Sequence, residues 1–422
     1  MHDVIIIGGG AAGLFAAVVA AERGLSVLVL EPNDKLGRKL RITGKGRCNL
    51  TNDCTVAEAI AAVPTGGKFL QSAMHTLPPQ AAMAFFERLG VPLKTERGRR
   101  VFPVSDSAHD VANALTRRMD KLGVTVRKAK AERILTRDGD GEKIACGVAV
   151  RGEEIPCGAV ILATGGVSYP ATGSTGEGYA MAAQLGHTIV EPRGSLVPLV
   201  SPDAFCAEMQ GLALKNIAIR VFDGGKKPIY EDFGELLFTH FGISGPVTLS
   251  TSAHMRHFGK KEYTISIDLK PALDEDALNR RLLRDFEQFK NREFRNALAE
   301  LCNRLMIPVI VARSGIDPSK QVNSITREER RVLLQLLKNF TVRISEPRGV
   351  DEAVITSGGV EVKELVPSTM ESKLVHGLYF AGEIINADAY TGGYNLQIAW
   401  ASAFAAAEAA ANALASATTA TV

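Results

Sequence analysis

The chain has 422 residues, 46% of them hydrophobic, and a formal net charge of +3. Its length suggests two or three domains of the usual size, about 100 to 200 residues each, and its near-balanced charge argues against a dedicated nucleic-acid binder. No apolar run reaches the roughly 18 residues of a membrane span. The N-terminal run is broken by glycines too early for a signal peptide, and six cysteines without Cys-x-x-Cys or zinc spacing fit a reducing, cytoplasmic setting.

The first predicted strand, Val4-Ile5-Ile6-Ile7, runs into Gly8-Gly9-Gly10-Ala11-Ala12-Gly13 and then an apolar helix from Ala11 to Glu22. This is a dinucleotide-binding fingerprint in the setting it requires. Gly8 makes the turn, Gly10 lets the backbone approach a pyrophosphate, Gly13 brings helix and strand together, and the N–H groups at Ala11 and Ala12 face the anion. A second strand, Ser26 to Leu30, ends at Glu31 before Pro32, where a carboxylate can accept hydrogen bonds from an adenosine ribose. The loop from Gly37 to Asn49 combines Arg38, Lys39, Lys45 and Arg47 with Gly37, Gly44 and Gly46, and its alternative reading is a solvated basic loop.

Further on, helical periodicity covers Ser107 to Leu122, followed by strands at Val124 to Val126, Ile144 to Val150 and Ala159 to Leu162. The last enters Ala163-Thr164-Gly165-Gly166, a turn that brings backbone back to a cofactor. From Arg193 to Asp268 short alternating segments such as Ile217 to Phe222 and Tyr263 to Leu269 read as a β-rich insertion. Helical stretches follow at Asp274 to Phe289, Phe294 to Leu305 and Thr326 to Leu337. Buried strands at Val354 to Ser357 and Leu378 to Phe380 lead to Ala381-Gly382-Glu383. Gly392-Gly393-Tyr394-Asn395-Leu396 then opens an apolar helix to about Ala413, with a frayed tail from Ser416 to Val422. The expected fold is α/β: a Rossmann-like, two-segment FAD-binding domain (1–192 and 346–422) interrupted by a β-rich piece (193–270) and a helical piece (271–345). Two chain ends enclosing one dinucleotide suit a prosthetic FAD better than NAD.

Four blocks carry a family resemblance: Gly37 to Asn49; Ala163 to Pro170 with Thr172 to Gly176; Phe238 to Pro246; and Ala381 to Glu383 with Thr391 to Gln397. On these the whole chain resembles the YhiN- or BaiN-like family of bacterial flavoproteins, within the wider glutathione-reductase and fumarate-reductase type. The resemblance implies tightly held FAD, redox activity with NADH or NADPH as reductant, and hydride transfer from flavin N5 to a small organic acceptor such as a conjugated enone. The alternatives are an oxidase passing electrons to oxygen, for example from an amine, and an RNA-associated flavoprotein using the Arg97 to Arg100 cluster. In this setting Thr43 and backbone N–H groups would face flavin N5 and C4=O, with Cys48 and Asn49 as flavin neighbours. The helix near Asn395 would aim its positive end at N1 and C2=O, and Glu383 would contact the ribityl or pyrophosphate segment or else cap its loop.

Cys48 and Cys54 lie six positions apart, one more than in the superfamily's redox pairs, which argues against a redox disulfide. A proton donor is sought among side chains that titrate near neutrality or pack on a flavin, giving His240 first and Tyr169 and Tyr390 behind it. His187 reads as structural.

Overall fold

The computed structural model describes residues 2–139 and 141–420. The chain divides into two units, one built from Met1–Ser195 and Val350–Val422, the other from Leu196–Gly349.

The first unit is an α/β Rossmann-type domain. Its main sheet runs in the order Thr125–Lys128, Val27–Glu31, His2–Ile7, Glu153–Leu162, Glu142–Val150, Arg133–Gly139, and Leu378–Phe380 also pairs with Glu153–Leu162. The strands around His2–Ile7 are parallel, with Val4 opposite both Val27 and Ala159. Buried on both faces, they are continuous apolar runs rather than alternating ones. The three strands of the outer meander are antiparallel, which lets short turns replace crossover helices.

The helix Ala11–Glu22 is almost wholly buried, and Phe15 packs with Phe85, Phe86 and Trp400 at ring-centroid distances of 4.3, 6.0 and 5.4 Å. Trp400 is fully buried, and its indole N–H donates to the Leu50 carbonyl at 3.0 Å, so its one polar atom is satisfied.

Two expectations about the C-terminus are corrected. The last helix spans Tyr394–Ala420, so residues 416–420 continue the helix rather than fraying, while 421 and 422 lie outside the described residues. The stretch Tyr394–Ala417 is also long and apolar enough to cross a membrane by length and composition, which the sequence reading missed. Its apolarity comes from alanines, and 61% of its most apolar window is buried in the protein, as expected of a core helix.

The second unit has a seven-stranded sheet in the order Phe340–Ile344, Tyr263–Asp268, Ala213–Phe222, Tyr230–Thr239, Gly242–Ser244, Leu199–Val200, Glu346–Pro347. Helices Glu275–Gln288, Ile307–Ser314 and Arg327–Lys338 contribute Leu282, Ile310 and Leu333 to the same core as Ile219 and Ile265. The β-rich and helical stretches therefore share one core. Their chain segments interlock, since Phe340–Ile344 follows the helices yet pairs with Tyr263–Asp268.

The helix expected over Phe294 to Leu305 stops at Ala297 and passes through a 3-10 turn, Leu298–Glu300. The Asn303 side chain then accepts from the Leu305 N–H at 3.0 Å, a local turn that competes with helix. The strand expected over Val354 to Ser357 runs instead over Ile355–Val360.

Candidate functional site

Of the fingerprint glycines Gly8, Gly10 and Gly13, two are required by the protein's own backbone and one is not. Gly8 has φ +105°, and a Cβ there would lie 2.5 Å from the Ala163 carbonyl oxygen; one on Gly13 would lie 1.8 Å from the Gly8 carbonyl oxygen. Both positions are closed by the protein's own backbone. Gly10 differs: its φ is an ordinary −80°, and a Cβ there would meet nothing within 4 Å. Among the described residues nothing demands glycine at this position. The open space lies before a helix N-terminus that has no side-chain cap, where a dinucleotide pyrophosphate would sit. The residues present fit FAD on this observation.

At the end of the second strand Glu31 is 8% exposed. One carboxylate oxygen accepts from the Gly9 N–H at 2.8 Å, and the other from the Asn33 backbone N–H at 2.8 Å and the Asn33 side-chain amide at 2.6 Å. Arg38 donates to the Asn33 side-chain oxygen at 2.7 Å, and Pro32 is exposed beside it. Glu31 is thus oriented by the same turn that surrounds Gly10. Glu31→Gln is expected to weaken FAD binding about 10- to 100-fold, the worth of a charge-assisted hydrogen bond, while circular dichroism stays native. An unchanged affinity in a titration of apoprotein would remove Glu31 as a ribose ligand.

The strand Glu153–Leu162 delivers the second glycine turn. The Ala163 N–H donates to the Ile7 carbonyl at 2.8 Å, which ties this turn to the first. The Thr164 hydroxyl is buried with no hydrogen-bond partner among the described residues, and Gly165 has φ +74°. A Cβ on Gly166 would lie 2.2 Å from the Thr356 hydroxyl and 2.8 Å from the Glu383 carboxylate. The glycine is needed here because a buried polar network lies against it.

That network joins four distant segments. Lys39 Nζ donates to both Glu383 oxygens, at 2.9 and 2.6 Å, and to Ser168 Oγ at 2.5 Å. Ser168 Oγ donates to Glu383 Oε1 at 2.7 Å, and the Thr356 N–H to the same oxygen at 2.9 Å. Thr356 Oγ1 in turn accepts from the Val167 and Ser168 N–H groups. Burial works to raise the Glu383 carboxyl, but the Lys39 ammonium and the bonds from Lys39, Ser168 and Thr356 overcome it and hold the carboxyl below its usual range. Gly382 precedes it at φ +77°, its N–H bound to Ser402 Oγ at 2.9 Å.

The basic loop is more self-contained than its composition suggests. Arg47 pairs with Glu96 and Asp106 and lies 4.2 Å over the Phe102 ring. With Arg38 on Asn33, Lys39 on Glu383 and Arg41 on the Leu36 carbonyl and the Asn113 side chain, four of the loop's five cations have partners within the protein, and Lys45 is exposed. Thr43 Oγ1 donates to the Leu40 carbonyl at 2.7 Å. Gly44, Lys45, Gly46 and Cys48 all have positive φ, between 57° and 85°, so the chain winds tightly here. Cys48 and Cys54 are free and buried. Burial pushes the Cys48 thiol up to about 12, and Cys54 is also raised, so neither is a poised thiolate.

This loop docks on the turn before the last helix. With the Asn49 amide oriented to satisfy both partners, it donates to the Thr51 carbonyl at 3.1 Å and accepts from the Gly393 N–H at 3.0 Å. Thr51 Oγ1 donates to Gln397 Oε1 at 2.8 Å, and the Asn52 amide to the Gly392 carbonyl at 3.2 Å. A Cβ on Gly393 would lie 2.3 Å from the Thr51 carbonyl oxygen. Asn395 closes a ring with Ala389, accepting from its N–H and donating to its carbonyl, both at 2.8 Å. Its side chain therefore shapes the loop that precedes the turn. Tyr394 and Leu396 are half-buried against the core.

Of the proton-donor candidates, Tyr169 follows Ser168 at φ +52°, and the Tyr390 N–H donates to the Ala62 carbonyl at 3.0 Å. Both belong to the first unit. His240 lies in the second unit, exposed in the tight turn between Tyr230–Thr239 and Gly242–Ser244, with its ring 5.0 Å from that of Phe241. His187 is buried between Glu364 at 3.1 Å and Ser372 at 2.9 Å, and burial lowers its pKa, as a structural histidine.

Sequence reasoning missed Asn33, Thr51, Asn52, Thr356 and Gln397 as members of this assembly. Asn33 alone had a local signal, two residues after a strand-end acid. The others act on partners up to 346 residues away, which no spacing rule reports.

Three comparisons bear on this site. The family model described as HI0933-like protein Rossmann domain matches residues 2–409. A ribosomal RNA dihydrouridine synthase of Haemophilus influenzae is 31% identical over 95% of this chain and 96% of its own length. A 3-dehydro-bile acid delta(4,6)-reductase of Clostridium scindens is 29% identical over 96% and 98%. Among solved structures, the 3-ketosteroid delta1-dehydrogenase of Sterolibacterium denitrificans, in complex with 1,4-androstadiene-3,17-dione, shares the fold at a TM-score of 0.51 and 14% identity, covering 98% of this chain and 99% of that one.

Proposed function

The chain belongs to the HI0933-like Rossmann family, and on that premise we propose that it is an NAD(P)H-linked reductase whose acceptor is a carbon–carbon double bond conjugated to a carbonyl. At the coarser level it is an FAD-dependent oxidoreductase. The observation that carries the finer reading is the pair of relatives aligned over nearly their whole length. One is named for making dihydrouridine, a uracil saturated at the bond conjugated to its carbonyl, and the other for reducing double bonds conjugated to a 3-oxo group. The acceptors are unlike, but the bond type is the same.

Bound FAD supplies the hydride chemistry. The chain's own residues bind and orient. The space at Gly10 and the N–H groups at Ala11 and Ala12 would hold the pyrophosphate, with Glu31 on the ribose. Ala163 to Gly166 and the Lys39–Glu383 network would fix the walls around the ribityl chain. The loop from Thr43 to Asn49 and the turn at Gly392 and Gly393 would flank the ring. The acceptor carbon next to the carbonyl needs a proton, and His240 is the residue we assign to hold it. His240→Ala is then expected to leave flavin content, spectrum and reduction by NAD(P)H intact while slowing reoxidation by the acceptor about 10²- to 10⁴-fold. Equal acceptor rates would move the search to Tyr169 and Tyr390.

The reading is tested by reducing the protein anaerobically with NADH or NADPH and following flavin reoxidation by a steroid enone, a uridine-containing RNA and oxygen. Fast reoxidation by either conjugated acceptor supports it. Reoxidation by oxygen alone would favour an oxidase.

A further inference from the structure

The turn Arg97-Gly98-Arg99-Arg100 is not used by any step above, yet the fold holds it with care. Gly98 and Arg99 both have left-handed backbone, φ +76° and +58°. For arginine this conformation is costly, and such strain persists only where the surroundings impose it. Here they do so at three points. Arg99 is clamped by a two-pronged ion pair to Glu58, at 3.0 and 2.8 Å; its carbonyl accepts from the Asp53 N–H at 2.7 Å; and the Gly98 carbonyl accepts from the Asn52 amide at 3.0 Å. Asn52 is 2% exposed, and the same amide nitrogen bonds the Gly392 carbonyl. The arginine turn and the glycine turn before the last helix thus hang on one buried side chain.

What this anchoring presents is positive charge. Arg97 and Arg100 are exposed, and among the described residues neither is paired with a carboxylate. The Arg100 side chain folds back to donate to the Arg97 backbone carbonyl at 3.1 Å, which holds the Arg100 guanidinium over the turn. Exposed Lys45 lies on the adjoining loop, whose Gly44 packs toward Phe102, the ring beside which Arg100 also lies. Only Arg99 is neutralised, by Glu58. The left-handed backbone is what the three-residue hairpin loop between Leu93–Glu96 and Arg100–Pro103 requires; the anchor on the buried Asn52 is additional. Guanidinium groups held in a fixed turn match phosphate oxygens.

We propose that Arg97 and Arg100 form a phosphate-recognition turn that seats a single-stranded polynucleotide acceptor beside the Gly392–Gly393 turn. This rests on the acceptor reading above, since uracil in RNA carries the bond type in question. Such a turn would add affinity through backbone phosphates, independent of base sequence, and leave base selection to the site.

The test measures binding without turnover, so that it stands apart from the acceptor screen. The oxidised holoprotein is titrated with a mixed-sequence single-stranded RNA of about twenty nucleotides, longer than one domain's usual footprint, across a salt series. The wild type is expected to bind with a log–log salt dependence. R97Q/R100Q, still holding its flavin, should bind about tenfold more weakly, with the slope reduced by about 1.4, or 0.7 for each lost contact. R280Q/R284Q removes equal charge from exposed positions in the other unit and should bind like the wild type. The proposal is overturned if the wild type shows no RNA binding, or if the two double variants weaken it equally. It is also overturned if R97Q/R100Q leaves RNA binding unchanged but slows flavin reduction by NADPH and not by NADH, which would assign the turn to the nicotinamide phosphate.

Discussion

Gly10→Val is expected to yield a well-folded protein that has lost its yellow colour, with FAD affinity reduced by at least about 100-fold, some 2.7 kcal/mol. The structure separates this variant from its neighbour in a way the glycine pattern alone does not. At Gly10 the backbone is ordinary and, among the described residues, a β-carbon would meet nothing within 4 Å, so valine is expected to act by occupying the pyrophosphate position. At Gly13 even a methyl group would lie 1.8 Å from a backbone oxygen. Gly13→Val should therefore damage helix–strand packing itself, lowering the melting temperature of apoprotein as well as abolishing FAD retention. Circular dichroism melts and denaturing release of the chromophore distinguish the two. Full FAD occupancy in Gly10→Val would mean that the pyrophosphate lies elsewhere.

The second large effect is expected at Lys39. The Lys39 and Glu383 side chains are only 21% and 12% exposed, and removing one partner of a buried pair leaves an uncompensated charge at a cost of about 3–5 kcal/mol. Lys39→Met should lose about that much stability at neutral pH, and Lys39→Met with Glu383→Gln should regain part of it because no lone carboxylate remains. The pH dependence follows from the depressed Glu383 carboxyl. Its folded value lies below 4.5, so the pair's contribution is complete above the unfolded value and is lost as pH falls through the lower folded one. The deficit of Lys39→Met against wild type, measured by urea unfolding, should therefore be largest near neutrality and shrink below about pH 4.5. A deficit independent of pH would show that lost packing, not charge, is responsible.

These two residues also show how far the sequence could be read. Gly8 and Gly13 were legible because strand, turn and helix follow one another within a few residues, and the backbone geometry they serve is local. Glu31 was legible as a strand-end acid for the same reason, and its contact with a ribose is the expectation that Glu31→Gln tests. The partnership of Lys39 with Glu383, 344 residues away, was not, because a cation in a glycine loop and an acid after a glycine each carry a plausible separate role. That Asn33 engages Arg38, and Glu96 and Asp106 engage Arg47, was likewise not legible in the sequence. The last helix was read as an apolar helix to about Ala413; that it continues to Ala420 and is long and apolar enough to span a membrane was missed, because its hydrophobicity is distributed over alanines. Conversely, the wide Cys48-to-Cys54 spacing did indicate that these thiols are unpaired, and both are buried and free.

The proposed delivery of electrons to a conjugated carbon–carbon bond can be observed in one turnover. A single turnover tests it most directly: protein reduced anaerobically with one equivalent of NADPH is mixed with a steroid enone or a uridine-containing RNA, and the acceptor's mass is measured. The acceptor is expected to gain two hydrogens, in proportion to the flavin reoxidised. An acceptor of unchanged mass, with the flavin reduced until air is admitted, would contradict it.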